Sequence, residues 1–384
     1  MPNPKVSFVI PCYKLAHYLG ECLESILSQS YKDFEILVMD DCSPDNTGEV
    51  VASFSDPRIR YIRNNPNLGH LKNYNKGIEL SRGEYVWLIS ADDKISKPYA
   101  LERYLRVLDE HPEVGYAFCS SYSVVDGQLA EIEAYSVHAV EDRIFSGKMF
   151  LIGSLAKTNG VPAAAGMVRR GCYQSLGVFP LDLPYAGDWF LWCLFALHHD
   201  VAYFAEPMVE YRKHNLAMTS TLSRENIRAC IDDDIAVPYR IYKEAERINA
   251  TNVMAVLQDQ IGIQLGQYLS VARVRGTNAQ ITMQEFSQKV SDFSLDSKTR
   301  ARIRNRALVL AGDRFFVRDE LANARSMYIL ALRSRPISPK IWVKTLLAFS
   351  EPCIRIARSF VTSIRAFSSN GTRANHRERD VTNL

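Results

Sequence analysis

The amino-acid sequence predicts an α/β protein with a parallel, doubly wound sheet, followed by an α-helical extension. Up to residue 119, short apolar runs alternate with helical patterns, which is the order expected of βαβ units. The run over residues 85–89 (Tyr-Val-Trp-Leu-Ile) is unbroken, as in a parallel strand buried on both faces. From about residue 225 onward only helical patterns remain.

The first five strands and their connecting helices follow from these patterns in chain order. The predicted strands are residues 6–10, 34–39, 59–62, 85–89 and 114–119. The predicted helices between them are residues 16–29, a short helix near residue 50, a helix ending near residue 80, and one that follows Pro98. The last of these helices carries an apolar stripe at i, i+3, i+4 and i+7, formed by Leu101, Tyr104, Leu105 and Leu108.

The chain beyond residue 120 has weaker patterns. Residues 121–150 are polar and weakly periodic, so we expect a loop or an insertion there. A helix is predicted to open at residues 186–192 (Ala-Gly-Asp-Trp-Phe-Leu-Trp). Residues 201–204 and 208–211 then predict two separate strands, and residues 212–215 (Arg-Lys-His-Asn) close the first domain.

Composition and charge exclude several classes of protein. Hydrophobic residues make up 47% and charged residues 23%, as in globular proteins with a sizeable core. A net charge of +3 is too near balance to indicate a nucleic-acid binder. The eight cysteines show no C-x-x-C spacing, so neither a disulfide framework nor a zinc site is predicted. The sequence has no signal-peptide pattern and no run of 18 uncharged apolar residues, so we expect a cytoplasmic protein.

The loop after the first strand shows whether the sheet carries a glycine-rich dinucleotide-binding site. It reads Pro11-Cys-Tyr13-Lys and lacks the glycine-rich turn that lets a pyrophosphate approach the backbone. A Walker loop is also absent from the sequence. A nucleotide that binds this sheet must therefore be held in another way.

Paired acids follow two of the predicted strands. Asp92 and Asp93 follow the buried run at residues 85–89, and Asp40 and Asp41 follow the second strand. Ligands of open α/β sheets bind beyond the carboxyl ends of strands. Adjacent carboxylates repel each other unless a cation lies between them. The alternative interpretation is an acidic turn, with short acids that cap the backbone.

An ordered set of motifs resembles the family 2 glycosyltransferases, which are inverting enzymes of the GT-A fold. The motifs are Val6-Ser-Phe-Val-Ile-Pro-Cys-Tyr-Lys14, Asp40-Asp-Cys-Ser-Pro-Asp-Asn-Thr47, Asn67-Leu-Gly69, Gly83-Glu-Tyr85, Ala91-Asp-Asp93, Gly187-Asp-Trp189 and Tyr211-Arg-Lys-His214. The resemblance covers residues 5–220. It implies a GT-A type nucleotide-diphospho-sugar transferase fold with a doubly wound mixed sheet. It also implies transfer of one sugar from a nucleoside-diphosphate sugar, most commonly a UDP-sugar, to a saccharide or lipid-linked saccharide acceptor.

The resemblance implies roles for the residues at the first two strand ends. Asp41 resembles the carboxylate that accepts a hydrogen bond from the nucleotide base, with Asp40 beside it. The flat base would lie against Pro11 and Tyr13. Turn capping is the alternative role for the two acids.

The resemblance also implies a divalent metal, Mg²⁺ or Mn²⁺, that bridges the diphosphate. Asp92 would contact the ribose and Asp93 would bind the metal, with His214 as a further metal or diphosphate ligand. Arg212 would neutralise diphosphate charge. Many relatives carry a third acid where this chain has Ser90, and Mg²⁺ tolerates its loss because it keeps waters and binds substrate phosphates. A solvated histidine and a surface ion pair are the alternatives for His214 and Arg212.

Asp188 resembles the catalytic base of the family. A base takes the proton of the acceptor hydroxyl as the new bond forms. Its position at the start of a predicted helix leaves a second interpretation, a helix-capping aspartate that satisfies first-turn N–H groups. Arg63 and Lys72 are expected to be surface charges.

The C-terminal third predicts a helical domain over residues 221–367 and a disordered tail over 368–384, after a transferase domain over 1–220. One pattern resembles a single tetratricopeptide repeat and consists of Leu308, Gly312, Phe315, Ala324, Tyr328, Ala331 and Pro336. It would bind a partner or acceptor, or only complete the fold. Residues 341–367 mix apolar and basic side chains, which suits either a peripheral helix on the cytoplasmic face of an anionic membrane or a helix that packs on the protein.

Three functions compete. The first is a glycosyltransferase of surface polysaccharide, lipopolysaccharide or glycolipid assembly. The second is a catalytically inactive scaffold that binds a nucleotide sugar and recruits partners through its helical region, which Ser90 favours and Asp93 and Asp188 oppose. The third is a nucleotidyltransferase, which would carry a glycine-rich loop after the first strand.

Overall fold

The structure is a computed structural model of the chain, and it describes residues 3–125, 127–215, 217–271, 280–334 and 338–349. The described residues divide into two compact units. The first comprises the chain up to Asp233 together with Lys243–Val253, and the second comprises Asp234–Tyr242 and the residues from Met254 onward. Predictions for residues 350–384, including the disordered tail, lie outside the described residues.

The first unit is built on one mixed sheet. Its strands are β1 (Val6–Cys12), β2 (Phe34–Asp40), β3 (Ile59–Arg63), β4 (Tyr85–Leu88), β5 (Lys94–Ile95), β6 (Val114–Val125), β7 (Gln128–Ile132), β8 (Arg143–Phe145), β9 (Met167–Arg169) and β10 (Asp200–Lys213). Their order is β3-β2-β1-β4-β9-β6-β10-β5, with β7 on β6 and β8 on β10. The doubly wound mixed sheet expected from the sequence is confirmed.

The helices of the described residues, with the shortest 3₁₀ and π segments left aside, are α1 (Ala16–Leu27), α2 (Thr47–Ala52), α3 (His70–Leu80), α4 (Ala100–Glu110), α5 (Gly147–Phe150), α6 (Arg170–Leu176), α7 (Gly187–His198), α8 (Met218–Glu225), α9 (Ile227–Arg247), α10 (Thr251–Ser270), α11 (Met283–Asp292), α12 (Ser297–Val317), α13 (Leu321–Ser334) and α14 (Pro339–Phe349). Within this part of the chain, no helix combines the length and apolarity needed to cross a membrane.

The centre of the sheet is parallel and buried. Every residue of β1 and β2 is buried, and Val6 of β1 pairs with Phe34 of β2 on one side and with Tyr85 of β4 on the other. Strands that are buried on both faces consist of continuous apolar runs, which is why the sequence predicted them well. Pro11 lies within β1, although the prediction ended the strand before it.

Two predictions in the second half of the sheet are wrong. Residues 121–150 are not a loop, since they contain the end of β6, the hairpin strand β7, the short strand β8 and helix α5. Every residue of β7 is exposed, so its sequence carries no alternation between buried and exposed positions. The two strands predicted at 201–204 and 208–211 are one strand, β10, whose pairing with β6 is irregular between Phe204 and Val209. Pro207 lies in that irregular stretch and has no N–H to donate.

The strand directions bring several strand ends to one edge of the sheet. Strands β1, β2, β3 and β4 are parallel to one another. Strand β9 runs antiparallel to both β4 and β6, and β10 is parallel to β6, so β10 points the same way as β4. The residues after β2, β4 and β10 therefore meet at the same edge, where ligands of open α/β sheets bind.

The second unit is helical in its described residues. Helices α12 and α13 contain the repeat-like pattern from Leu308 to Ala331, whereas Pro336 lies outside the described residues. Gly312 of α12 lies against the ring of Tyr328 on α13. A side chain at position 312 would place its Cβ 2.5 Å from that ring, so only glycine allows this approach. On α14, Trp342, Leu346 and Phe349 are exposed large apolar residues. A partner-binding or membrane-binding role for this unit stays a prediction.

Candidate active site

The carboxylate of Asp41 is hydrogen-bonded to the loop that follows β3. It is 3% exposed and accepts hydrogen bonds from Asn64 Nδ2 at 2.9 Å, Leu68 N at 2.8 Å and Gly69 N at 2.9 Å. Gly69 has a φ of +82°, a backbone conformation that favours glycine. Asp41 thus fixes the Asn-Leu-Gly loop at the sheet edge, and its contact with a nucleotide base stays a prediction.

Asp40 is fully buried and holds the turn after β2. Its oxygens accept from Tyr61 Oη at 2.5 Å, Arg63 Nη1 at 2.6 Å and Ser43 N at 2.7 Å. Burial raises the pKa of this carboxyl, but the hydrogen bonds from Tyr61 and Ser43 outweigh burial and hold the pKa below its usual value. Arg63, expected to be a surface charge, is half exposed but pairs with Asp40. Contact between Asp40 and a nucleotide stays a prediction.

Pro11 and Tyr13 lie at the end of β1, beside the two acids. Pro11 is buried, and its carbonyl accepts from Ala91 N at 3.3 Å. Tyr13 is 44% exposed, with Lys14 Nζ 5.0 Å from the centre of its ring. The open face of this ring is suited to stacking by a flat base, which remains a prediction.

Asp92 and Asp93 follow β4, and each contacts the end of β10. The peptide N–H of Arg212 donates to Asp93 Oδ1 at 2.9 Å. His214 Nε2 lies 2.8 Å from Asp92 Oδ2. Burial, and then the charge of Asp92, raise the pKa of Asp93 well above its usual value. The two acids are therefore held together at an energetic cost that a cation would relieve.

The donor set fits a divalent cation in part. Asp92 Oδ1 is buried and finds no hydrogen-bond partner among the described residues. Together with Asp93 it supplies carboxylate oxygens, which Mg²⁺ and Mn²⁺ prefer. No group of three His, Cys, Asp or Glu side chains in the described residues forms a complete metal site. Asp92 and Asp93 could thus hold a cation only if water or substrate phosphates complete its coordination, and the roles of Asp93 and His214 stay predictions.

The guanidinium of Arg212 is directed away from its own strand toward α1. Its Nη2 donates to Glu21 Oε2 at 2.9 Å, and its Cζ lies 4.2 Å from the ring centre of Tyr18. A cavity of about 440 Å³ opens beside it, with His214 and Lys94 also in its lining. Arg212 Nε is buried and has no partner in the described part of the chain. Neutralisation of a diphosphate by Arg212 stays a prediction.

Asp188 lies in the first turn of α7, whose N-cap residue is Ala186. Its Oδ1 accepts from Trp189 N at 2.7 Å, and its Oδ2 accepts from Asn159 Nδ2 at 2.9 Å. Burial raises the pKa of Asp188 above its usual value. One oxygen therefore accepts from the N–H of the next residue, while the second is turned to another loop, and Asp188 is not the N-cap of α7. A raised pKa is common among catalytic carboxylates, and the role of Asp188 as a base stays a prediction.

Three tyrosines connect Asp188 to the acids after β4. The charges of Asp93 and Asp188 both act on Tyr74, Tyr135 and Tyr211, whose phenol pKa values are raised mainly by burial. Tyr135 as a residue remains 39% exposed. Asp93 and Asp188 are thus both near enough to these three tyrosines for their charges to act on them, and a shared site stays a prediction. Tyr211 stands in the Tyr-Arg-Lys-His motif, which could have revealed it, but Tyr74 carries no sequence signal.

Asp41 is connected to these tyrosines through α3. Its charge acts on His70, whose ring lies 5.7 Å from that of Tyr74.

Two further residues were not predicted from the sequence. Asn159 holds Asp188, and Asp233 Oδ2 accepts from Tyr185 N at 2.7 Å and Ala186 N at 3.0 Å, which fixes the start of α7. Both act through tertiary contacts, which no local pattern reveals.

Comparisons with known proteins identify the family of the chain. The family model described as glycosyl transferase family 2 matches residues 7–167. An uncharacterized protein of Mycobacterium tuberculosis is 30% identical over 238 residues, which are 60% of this chain and 73% of that protein. An uncharacterized glycosyltransferase of Rickettsia typhi is 27% identical over 225 residues, which are 57% of this chain and 67% of that protein.

The fold is also that of a solved transferase structure. The S. aureus protein TarS, crystallised in complex with UDP-GlcNAc, superposes with a TM-score of 0.60. The match covers 86% of this chain and 91% of the crystallised TarS fragment, residues 1–349, at 19% sequence identity. The expected fold class is therefore confirmed.

Proposed function

The chain belongs to glycosyl transferase family 2, and on that premise we propose that it moves one sugar from a nucleoside-diphosphate sugar to an acceptor hydroxyl with inversion at the anomeric carbon. The proposal is supported by the contact of Asp93 with the end of β10 and by the two hydrogen bonds that hold Asp188 in the first turn of α7. The charges of both acids also act on Tyr74, Tyr135 and Tyr211, and we infer that the two acids face one site. A UDP-sugar is the first donor to test, because TarS has the same fold and binds UDP-GlcNAc.

The two groups of acids have different tasks in this proposal. The residues at the ends of β1, β2 and β4 hold the donor, with Asp41 toward the base, and Asp92 toward the ribose. Asp188 takes the proton of the acceptor oxygen as that oxygen bonds to the anomeric carbon and the bond to the diphosphate breaks. A single displacement from the opposite face inverts the centre, and it needs no covalent intermediate or nucleophilic cysteine. Cys12, at the end of β1, is not an activated thiol, since burial raises its pKa to about 12.

A divalent metal near Asp92 and Asp93 would offset charge on the leaving diphosphate. The orphaned, buried Asp92 Oδ1 supports this assignment. Arg212 and His214, at the end of β10, keep the two carboxylates oriented through the contacts at 2.9 Å and 2.8 Å.

The acceptor is proposed to be a saccharide or a lipid-linked saccharide in surface polysaccharide, lipopolysaccharide or glycolipid assembly. Tyr135 supports a carbohydrate, because aromatic rings that are partly exposed beside a catalytic acid can stack on the apolar face of a sugar. The inactive scaffold is not favoured, since Asp188 is held by two donors in a form that suits proton transfer.

The first experiment measures hydrolysis of a panel of UDP- and GDP-sugars with Mn²⁺ or Mg²⁺, followed by nuclear magnetic resonance of the released sugar's anomer. We expect at least one donor to be hydrolysed with inversion. Asp188→Asn should lower turnover by about 10²–10⁴-fold, because the amide cannot accept the proton. The nucleotide should raise the unfolding temperature of Asp188→Asn about as much as it raises that of the unchanged chain.

Asp33→Asn is the matched control, since Asp33 is exposed just before β2, at the opposite edge of the sheet. It should leave turnover unchanged. Near-normal turnover in Asp188→Asn would show that Asp188 is not the base, and a retained anomeric configuration would contradict single displacement.

A further inference from the structure

Asn159 is the one side chain of another segment that donates to Asp188 among the hydrogen bonds of the described residues. It lies between the π-helical turn Leu151–Leu155 and the 3₁₀ turn Ala163–Ala165. Its Nδ2 donates to Asp188 Oδ2 at 2.9 Å, while Oδ1 of the same carboxylate accepts from Trp189 N at 2.7 Å. Both oxygens of the carboxylate therefore have a protein donor.

The amide of Asn159 can serve Asp188 in only one orientation. Its Oδ1 accepts from Val161 N at 3.2 Å, which turns Nδ2 toward the carboxylate. A flipped amide would put its oxygen against Asp188 and its NH₂ group against the Val161 N–H, so that both hydrogen bonds would be lost. The backbone of the loop thus determines which group of Asn159 faces the acid.

The loop itself is anchored on both sides of Asn159. On one side, Trp189 Nε1 donates to Leu155 O at 2.7 Å, which ties the loop to α7. On the other side, His138 Nε2 lies 2.7 Å from Gly160 O, and Ser154 Oγ lies 3.2 Å from His138 Nδ1. Burial lowers the pKa of His138, so the neutral ring can donate from Nε2 and accept at Nδ1. These contacts hold Asn159 in place without a ligand.

The charge of Asp188 acts on four titratable groups of the described residues. These groups are the phenols of Tyr74, Tyr135 and Tyr211 and the thiol of Cys193. Each is a neutral acid, and the charge of Asp188 raises its pKa beyond the effect of burial. None of the four is a cation. The hydrogen bonds from Asn159 and from the Trp189 N–H are thus the contacts that favour an ionised carboxylate there.

We propose that Asn159 is a positioning residue for proton transfer, which orients the Asp188 carboxylate toward the acceptor hydroxyl through its hydrogen bond to Oδ2. The proposal rests on the proposed function, in which Asp188 is the base. Asn159 would not touch the reacting atoms, because its Nδ2 occupies Asp188 Oδ2 from the side of the loop. The proton of the acceptor would then be taken by another lone pair of the Asp188 carboxylate, and the hydrogen bond from Asn159 would hold that carboxylate in one rotamer.

Removal of Asn159 should change the pH dependence of turnover. The acidic limb of the kcat profile reports the ionisation of the base in the enzyme–substrate complex. Loss of a hydrogen bond to a charged group corresponds to a shift of about one pH unit or more. Asn159→Ala should therefore move the acidic limb to higher pH by about that amount. Asn159→Asp adds a negative charge at the same place and should move the limb further.

The experiment measures kcat and KM from pH 5 to pH 9 for whichever nucleotide sugar of the panel is hydrolysed by the full chain. We expect Asn159→Ala to recover most of its turnover at high pH, with the KM of the donor little changed. Asn159→Asp preserves the volume and can still accept from Val161 N, so it gives the measurement even if the alanine variant unfolds. Thr158→Ala, at the exposed neighbouring position, is the matched control and should keep the unchanged profile.

A uniform fall in kcat at every pH, with an unmoved acidic limb in both variants, would overturn the proposal and leave Asn159 a structural residue. The two proposals fail separately. If Asp188→Asn keeps normal turnover, the proposed base is wrong; if that variant is inactive but the Asn159 limb does not move, only the positioning role is wrong.

Discussion

The individual carboxylates at the sheet edge differ in how many hydrogen bonds their oxygens accept from the protein. Asp40 and Asp41 each accept three hydrogen bonds from neighbouring residues, while Asp92 keeps one buried oxygen that the described residues leave without a partner. A buried polar atom without a partner is costly, so it is retained where a ligand can use it. At this scale Asp92 and Asp93 are the acids most available to a cation, and Asp40 the least.

Glu35 allows a test of residue electrostatics away from the candidate site. Burial raises its pKa, but hydrogen bonds from the Arg82 side chain, Ser7 and Arg60 outweigh burial and lower the pKa below 4.5. A lowered folded-state pKa stabilises the fold above pH 4.5, and this stabilisation is lost as the pH falls through the folded-state value. Glu35→Gln should be less stable by about 1–3 kcal/mol at pH 7.

The difference in the free energy of unfolding between Glu35→Gln and the unchanged chain should shrink as the pH falls below 4.5. Glu35 is then progressively protonated, so that both side chains become neutral. Urea unfolding at pH 7 and at successively lower pH measures this difference, with the exposed Glu24→Gln on α1 as control. A difference that stayed constant with pH would assign the effect to packing.

The sequence revealed the acids of the site but not the residues that hold them. Asp92, Asp93 and Asp188 follow recognisable local signals, namely a buried strand and a helix start. Asn159 lies in a loop of no periodicity, and its role depends on a hydrogen bond to a residue 29 positions away. Local patterns carry no information on such contacts, so the supporting residues needed the structure.

At the scale of strands and helices, the buried strands were predictable and the exposed ones were not. Strands β1, β2 and β4 consist mainly of buried apolar residues, and each was predicted within two residues of its observed ends. Strand β7 has five exposed residues and is held by pairing with β6, so its position depends on its neighbour and not on its own sequence.

Gly83 illustrates how one element limits another. A Cβ at this position would lie 2.6 Å from Ser7 N and 2.7 Å from Val6 C, both backbone atoms of the β1 start. Gly83→Ala must therefore displace β1 or the turn before β4. We expect it to lower the free energy of unfolding by about 1–3 kcal/mol or more, as overpacking does.

Gly20→Ala is the matched control, because a Cβ at position 20 in α1 would meet no described atom within 4 Å. This variant should be more stable by about 0.5–1 kcal/mol, since glycine is unfavourable within a helix. Thermal and urea unfolding of the two variants should thus shift in opposite directions. Equal shifts would contradict the close approach at Gly83.

At the scale of the whole molecule, the first unit extends past the domain boundary predicted at residue 220. Asp233 binds the two N–H groups that precede α7, and Glu244 Oε1 lies 2.8 Å from His198 Nε2 at the other end of α7. Both residues belong to the first unit. The start and end of the helix that carries Asp188 therefore depend on residues beyond 220.

Two truncations test this dependence. A chain of residues 1–253 retains both contacts to α7, and one of residues 1–220 retains neither. We expect the longer chain to unfold at a higher temperature and to hydrolyse the donor faster, because α7 stays fixed at both ends. Circular dichroism and the nucleotide-sugar assay measure the two effects. Equal stability and equal turnover would show that these contacts do not support the helix.

The split of the site between early and late segments has an evolutionary consequence. The acids proposed to bind the nucleotide sugar come before position 100, whereas Tyr135, Asn159 and Asp188 lie in later segments of the chain, and the family match ends at residue 167. Mutations that accumulate in the later segments can alter which hydroxyl is selected while the earlier half keeps its ancestral cosubstrate. Descendants of one duplicated gene would then diversify their products without having to reinvent recognition of the activated sugar.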